Sequence, residues 1–303
     1  MEKSVFERID IIINPASGNN EPILNPLNDV LKEFELDWNI SVTQPKRPAE
    51  QYAAEALEQG TDLVVVYGGD GTLTEAARPL IGSDVPMCIL PGGTSNALAT
   101  YLGIPRDLSS ALRLALTGVP TIRAIDTCVI AGNSFLTAAG TGLYGQLTEA
   151  TDREQKDKYG WLAYLIAGLR SATQPQLCHY RLNLDGEIIE QDAVACVVAN
   201  ITALGAVKLT LPQEVVVDDG LLDVFLFDAS LGTILAGLGS VAGVQPLASG
   251  LNHWQAREIR MEADPGQRVY VDGEASPGGE TPTVISARPQ SLRVVVPSPP
   301  ETK

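Results

Sequence analysis

Three times before residue 100 the chain runs from a short apolar stretch straight into a glycine-bearing turn: IIINPASGNN at 11–20, VVVYGGDGTLTEAA at 64–77 and CILPGGTSNALA at 88–99. The middle one continues into helix formers. A strand that ends in glycine and enters a helix leaves backbone N–H groups and the positive end of a helix dipole pointing outward, a concave site for an anion such as phosphate. Glycine allows the close approach. Neither familiar phosphate fingerprint is present, because no GxxxxGK[ST] lies nearby and GGDGT lacks the GxGxxG spacing. The loop is of another type.

The surrounding periodicity predicts where these turns sit. Apolar runs at 9–13, 38–43, 63–67 and 87–90 read as strands, while Leu24, Leu27, Leu31 and Phe34 recur at helical spacing. The stretch 48–60, PAEQYAAEALEQG, has proline at its start and glycine at its end, as a helix should. Strands alternating with helices predict an α/β domain, a parallel sheet with helices on both faces. All three glycine turns would then gather at the carboxyl edge of that sheet, where such folds bind ligands. After about residue 125 the pattern becomes strands joined by turn signals, AGNSF at 131–135 and NLDGEII at 183–189, with Asp-Gly favouring a tight hairpin. This predicts a β-rich antiparallel, sandwich-like domain, interrupted by helical stretches near 159–169 and after Ser230. The expected division is 1–125, 126–296 and a disordered tail at 297–303, PSPPETK.

Composition narrows the partners. With 303 residues and 45% apolar content the chain can bury two cores. A net charge of −16, from 21 basic and 37 acidic residues, disfavours nucleic acid, and none is expected as a partner, since phosphate neutralisation needs clustered Lys and Arg. It also disfavours simple adhesion to an anionic bilayer. Cys88, Cys128, Cys178 and Cys196 lack CxxC spacing and sit in apolar stretches, which predicts buried thiols and a reducing cytoplasm. No basic segment followed by an apolar one opens the chain, so no secretory signal is expected. The most apolar later stretch, 231–244, falls short of the roughly 20 residues of a membrane span and reads as a packed helix.

Further motifs follow in order: Pro91, Gly93, Thr94 and Asn96 after GGDGT, Asp126 opening the second domain, GWLAY at 160–164, DDGLLD at 218–223 and DGE at 272–274. Together they resemble, over nearly the whole chain, the diacylglycerol kinase catalytic-domain family, bacterial lipid kinases related to diacylglycerol, sphingosine and ceramide kinases. GGDGT alone is shared with NAD kinases and, loosely, with phosphofructokinases; the added motifs make the set specific.

The resemblance implies an ATP-dependent lipid kinase using Mg²⁺, with a lipid substrate reached at the membrane surface. The implied ATP site takes Asn14, Pro15, Ala16, Ser17, Gly18, Thr43, Gly69, Asp70, Gly71, Thr72, Leu73, Thr74, Glu75 and Thr94. Asp70 is expected to act on the nucleotide through Mg²⁺ or a donor. A structural Mg²⁺ is implied at the Asp219 carboxylate with the backbone carbonyls of Val216 and Leu221, hard oxygen donors that suit it. Glu274 is the implied general base, supported by Asp272 and Asp126. Without the resemblance, DDGLLD would read as an acidic turn and DGE as a hairpin; the earlier DGE, at 185–187, keeps that plain reading. The expected location is cytoplasmic and peripheral at the membrane, with no transmembrane segment and homo-oligomerisation left open.

Two departures from the family pattern bear on substrate. Asn96-Ala97-Leu98-Ala99 replaces the Asn-Asp of many bacterial diacylglycerol kinases and is closer to sphingosine kinases, yet Ala150 stands where the latter carry a carboxylate near the substrate amine. Asn19 stands where many members have a basic residue, leaving more phosphate charge to the metal. Besides a diacylglycerol-like lipid, a sphingoid base or ceramide therefore stays open as acceptor, as does a non-catalytic lipid-binding protein with the kinase fold. An NAD kinase shares GGDGT, but the Asn-Glu pair that usually follows is not found.

Overall fold

The structure, a computed structural model, describes residues 2–18, 22–150, 176–201, 215–229, 251–272 and 274–298. The expected helical stretches at 159–169 and after Ser230, GWLAY at 160–164 and the last tail residues lie outside them. The chain divides into two units, Met1–Ile125 with Gln290–Lys303, and Asp126–Pro289.

In the first unit, parallel strands β1 (Glu2–Ile13), β2 (Phe34–Val42), β3 (Leu63–Gly68) and β4 (Met87–Pro91) lie in the order β2-β1-β3-β4. They are joined by α1 (Leu24–Leu31), α2 (Ala49–Glu58) and α3 (Asp70–Leu80), and followed by α4 (Ala97–Tyr101) and α5 (Leu108–Leu116). Every residue of β3 is buried, which a strand achieves only when both sheet faces are covered. One helix ends sooner than its spacing predicts. Phe34, read as the last apolar position of α1, is instead the first residue of β2, paired with Glu2; its burial as a strand residue happens to continue the helical period.

The second unit is an antiparallel sandwich, as expected. Its strands are β5 (Thr121–Ile130, entering from the first unit), β6 (Asn133–Phe135), β7 (Ala138–Gly142), β8 (Cys178–Leu184), β9 (Glu187–Ala193) and β10 (Ala195–Ala199). They continue as β11 (Leu222–Phe227), β12 (Leu251–Ala256), β13 (Glu258–Asp264), β14 (Arg268–Val271), β15 (Glu274–Glu280) and β16 (Thr283–Val296), with α6 (Leu143–Ala150) after β7. One layer runs β16-β13-β8-β9 and the other β12-β11-β10-β7-β14-β15. Alternation makes the core: Tyr180, Leu182, Ile259 and Met261 of the first layer pack with Cys196, Val198, Val224 and Leu226 of the second. Residues of opposite parity, Val197, Phe225 and Tyr270 among them, form a further cluster with Leu143 and Tyr144 of α6. Beyond Gln290 the chain belongs to the first unit, where Val294 pairs in parallel with Met87. All four cysteines are buried free thiols, and no helix among the described residues is long and apolar enough to cross a membrane.

Candidate active site

The sheet order reverses at β1, with β2 on one side and β3 on the other, so a crevice opens at the carboxyl ends of β1 and β3. The two glycine-bearing turns that follow those strands are tied across it. The Asn14 side-chain amide donates to Thr72 Oγ1 at 2.8 Å, and the Asn14 backbone N–H donates to the Tyr67 carbonyl at 2.9 Å. Asn14 Oδ1 in turn accepts from the Ala16 N–H at 2.9 Å, closing the first turn on itself. The third turn locks onto the second. Gly92 N–H donates to the Gly68 carbonyl, and a Cβ on Gly93 would stand 2.7 Å from Gly69 Cα, so two backbones meet where no side chain fits. Asn96, at φ 49°, accepts the Gly93 N–H at 2.8 Å and returns its amide to the Gly93 carbonyl at 2.5 Å. Pro15, Ala16, Gly18, Gly71 and Thr94 are exposed along this edge, and Thr43 follows the end of β2 with its N–H on the Ile13 carbonyl.

Two carboxylates assigned to this site have structural partners. Asp70 accepts from the Ala97 N–H at 3.0 Å and the Leu98 N–H at 3.2 Å, satisfying donors at the start of α4. Glu75 accepts the Ala49 N–H at 3.1 Å at the start of α2. Leu73 and Thr74 face inward and are buried. The expectation that Asp70 acts on the nucleotide through Mg²⁺ or a donor is thus joined by a second task, holding the third turn against the second. Tyr67 was not singled out by sequence, yet it lies beneath the loops: added Cβ atoms at Gly18 and Gly92 would clash with its hydroxyl and ring.

In the second unit Asp126 is fully buried and accepts the Gly220 N–H at 2.7 Å, while its own N–H donates to the Val217 carbonyl at 2.7 Å. It therefore clamps the DDGLLD loop from both sides. Gly220 takes φ +77°, and the exposed Asp219 accepts the Leu221 N–H at 2.9 Å, an Asx turn. Among the described residues no group of three or more His, Cys, Asp or Glu side chains could hold a metal, so a Mg²⁺ here would depend on one carboxylate with backbone carbonyls and water, hard oxygen donors of the kind it takes. Asp223, which ends the motif, is buried against His253, with Nε2 and Oδ1 2.6 Å apart. Burial pushes its carboxyl above the usual range, and the His253 hydrogen bond opposes that.

The DGE at 272–274 forms a two-residue hairpin between β14 and β15, with Val271 paired to Glu274. Asp272 accepts from Thr137 Oγ1 at 2.5 Å and the Thr137 N–H at 3.0 Å, while Glu274 is exposed. Burial, reinforced by the charges on Asp272 and Asp126, pushes the Cys128 thiol far up, so it is inert as a nucleophile. Thr137, on the Asp272 carboxylate, and Asn200, on the Asp126 and Leu136 backbone carbonyls, carry no motif; only the polar residue closing the apolar run AVACVVAN hinted at the second.

Glycine-bearing turns thus line a crevice at the edge of a parallel sheet, and the sandwich that follows in the chain presents buried and exposed carboxylates. Residues 8–130 match the family described as diacylglycerol kinase catalytic domain, and residues 137–296 the YegS C-terminal NAD kinase beta sandwich-like domain. A "Probable lipid kinase YegS-like" of Klebsiella pneumoniae (strain 342) is 32% identical, covering 91% of this chain and 92% of that one. "Probable lipid kinase YegS" of Escherichia coli O1:K1 / APEC is 31% identical over 88% and 89%. The crystal structure titled "a putative diacylglycerol kinase from Bacillus anthracis str. Sterne" superposes with a TM-score of 0.79 at 26% identity, over 96% of this chain and 97% of that one. The chain belongs to the diacylglycerol kinase catalytic-domain family, in its YegS-like lipid kinase branch.

Proposed function

We propose that the protein transfers the γ-phosphate of ATP to the hydroxyl of a diacylglycerol-like lipid, meeting that substrate at the cytoplasmic surface of a membrane. The observation that carries this reading is the interlocking of three glycine-bearing turns at the carboxyl edge of the β1–β3–β4 sheet, a cradle suited to phosphate. Phosphoryl transfer requires positioning and charge stabilisation, with no covalent intermediate on the protein. In this reading Asn14 to Gly18, Gly69 to Thr72 and Thr94 hold ATP, with Thr43 beside them. Mg²⁺, when bound with ATP, supplies neutralisation of the phosphate charge. Asp219 with the Val216 and Leu221 carbonyls would hold a further, structural Mg²⁺.

Glu274 accepts the proton of the lipid hydroxyl as the new O–P bond forms and the bond from the γ-phosphorus to the β-phosphate oxygen breaks, releasing ADP. Asp126 and Asp272 keep loop and turn in place. Incubation with labelled ATP, Mg²⁺ and separate vesicles of diacylglycerol, sphingosine, ceramide or polyprenol tests the proposal. Label in phosphatidate is the expected result. Label only in a sphingoid or polyprenyl phosphate would move the acceptor, label in NADP from added NAD would make it an NAD kinase, and no labelled product would leave a binding protein.

A further inference from the structure

The chain contains two Asp-Gly-Glu hairpins, and they are built alike. Asp185 and Asp272 both take left-handed φ, 51° and 47°, and strand pairing closes each two-residue loop, Leu184 with Glu187 and Val271 with Glu274. In each, the aspartate N–H donates to an adjacent strand, to the Glu258 carbonyl at 3.2 Å or the Ala138 carbonyl at 2.9 Å. Each carboxylate accepts backbone N–H groups from that same neighbour. Asp185 takes those of Arg257 and Glu258, both at 2.8 Å; Asp272 takes that of Thr137 at 3.0 Å, with longer contacts of 3.4 Å from Leu136 and Ala138. In the first copy these donors are supplemented within the turn by the Asn183 side chain, whose Oδ1 accepts the Gly186 N–H at 2.7 Å, and no side-chain donor among the described residues reaches the Asp185 carboxylate.

The second copy has two additions that the first lacks. Thr137 Oγ1 donates to Asp272 Oδ1 at 2.5 Å. Asn200, 1% exposed, donates its side-chain amide to the carbonyls of Asp126 at 2.9 Å and Leu136 at 3.0 Å, and its N–H to the Thr137 carbonyl at 2.8 Å. Because both side-chain partners are carbonyl oxygens, the amide can point only one way. Its Oδ1 is then buried with no hydrogen-bond donor among the described residues. A fold that needed only a hairpin would not retain a buried polar group at that cost. We propose that Thr137 and Asn200 are positioning residues, which hold the Asp272 turn, and with it Glu274, in one geometry for attack by the lipid hydroxyl. The proposal rests on the kinase reading above, and on that reading a base displaced by about 1 Å loses on the order of 100-fold in rate.

Thr137→Val keeps the shape and removes the hydroxyl; Thr137→Ser restores it; Asn200→Asp removes both amide donations. The full chain would be assayed for lipid phosphorylation and, separately, for hydrogen exchange at 268–276, with the Asp185 turn at 182–189 as internal reference. The expected result for Thr137→Val is faster exchange at 268–276 only, with kcat down about 10- to 100-fold. The KM for ATP should be unchanged and Thr137→Ser should behave like wild type. Unchanged exchange at 268–276, a serine variant as impaired as the valine one, or faster exchange across the whole second unit would overturn it. Should Asn200→Asp fail to fold, the two Thr137 variants decide alone. If the wild-type chain labels no lipid, the kinase reading falls, and the exchange result by itself decides whether Thr137 holds the turn.

Discussion

Gly71 and Gly93 separate two uses of glycine in the candidate ATP site. An added Cβ on Gly71 meets nothing within 4 Å, and the residue is an exposed member of α3, so Gly71→Ala costs the fold nothing and removes a helix penalty of about 0.5 kcal/mol. Its melting temperature should equal or exceed wild type while the KM for ATP rises, because the methyl stands where phosphate would approach. An unchanged KM would take the nucleotide away from this turn. Gly93→Ala forces a methyl against the Gly69 backbone and should lower the melting temperature as well. Glu274→Gln keeps shape and removes basicity. A general base is worth about 10² to 10⁴ in rate, so kcat should fall in that range with ATP affinity intact. Glu187→Gln, in the other Asp-Gly-Glu hairpin, should match wild type; loss of activity there, with Glu274→Gln active, would move the base to the 185–187 hairpin.

At the scale of elements, acidic side chains of α3 satisfy the starts of two other helices: Asp70 that of α4, Glu75 that of α2. This makes GGDGTLTE a joint between elements as well as a phosphate loop. Losing such a cap costs about 1 kcal/mol, so Asp70→Ala should lower the melting temperature by about 3 °C in addition to its effect on turnover. Asp70→Asn keeps an acceptor for one of the two N–H groups and should melt closer to wild type, with turnover still abolished. If both variants turned over ATP at the wild-type rate, Asp70 would be a cap and nothing more. The sequence could not show this, because α4 begins 27 residues after Asp70 and the contact exists only once β3 and β4 pair.

For the whole molecule, the DDGLLD loop offers a test that does not depend on substrate. A ligand bound only by the native state stabilises it by mass action, about 2.7 kcal/mol at 100 times its dissociation constant. Wild type should melt higher in Mg²⁺ than in EDTA, and Asp219→Ala should lose that difference; an identical shift in both would place the metal elsewhere. The α/β unit, the sandwich and the glycine turns were legible along the chain because periods of 3.6 and 2 and the glycine signals are local properties. Both Asp-Gly hairpins were legible for the same reason. What the sequence left undecided was contact between distant segments. Phe34 fits a helical period and a strand start equally well, and only pairing with Glu2 chooses between them. Thr137 and Asn200 match no pattern, since their role consists of hydrogen bonds to residues far away in the chain, which form only when the β strands are stacked in register. Periodicity and turn chemistry reach a few residues along the backbone; the partner of a buried polar side chain is set by packing, and that exists only in three dimensions.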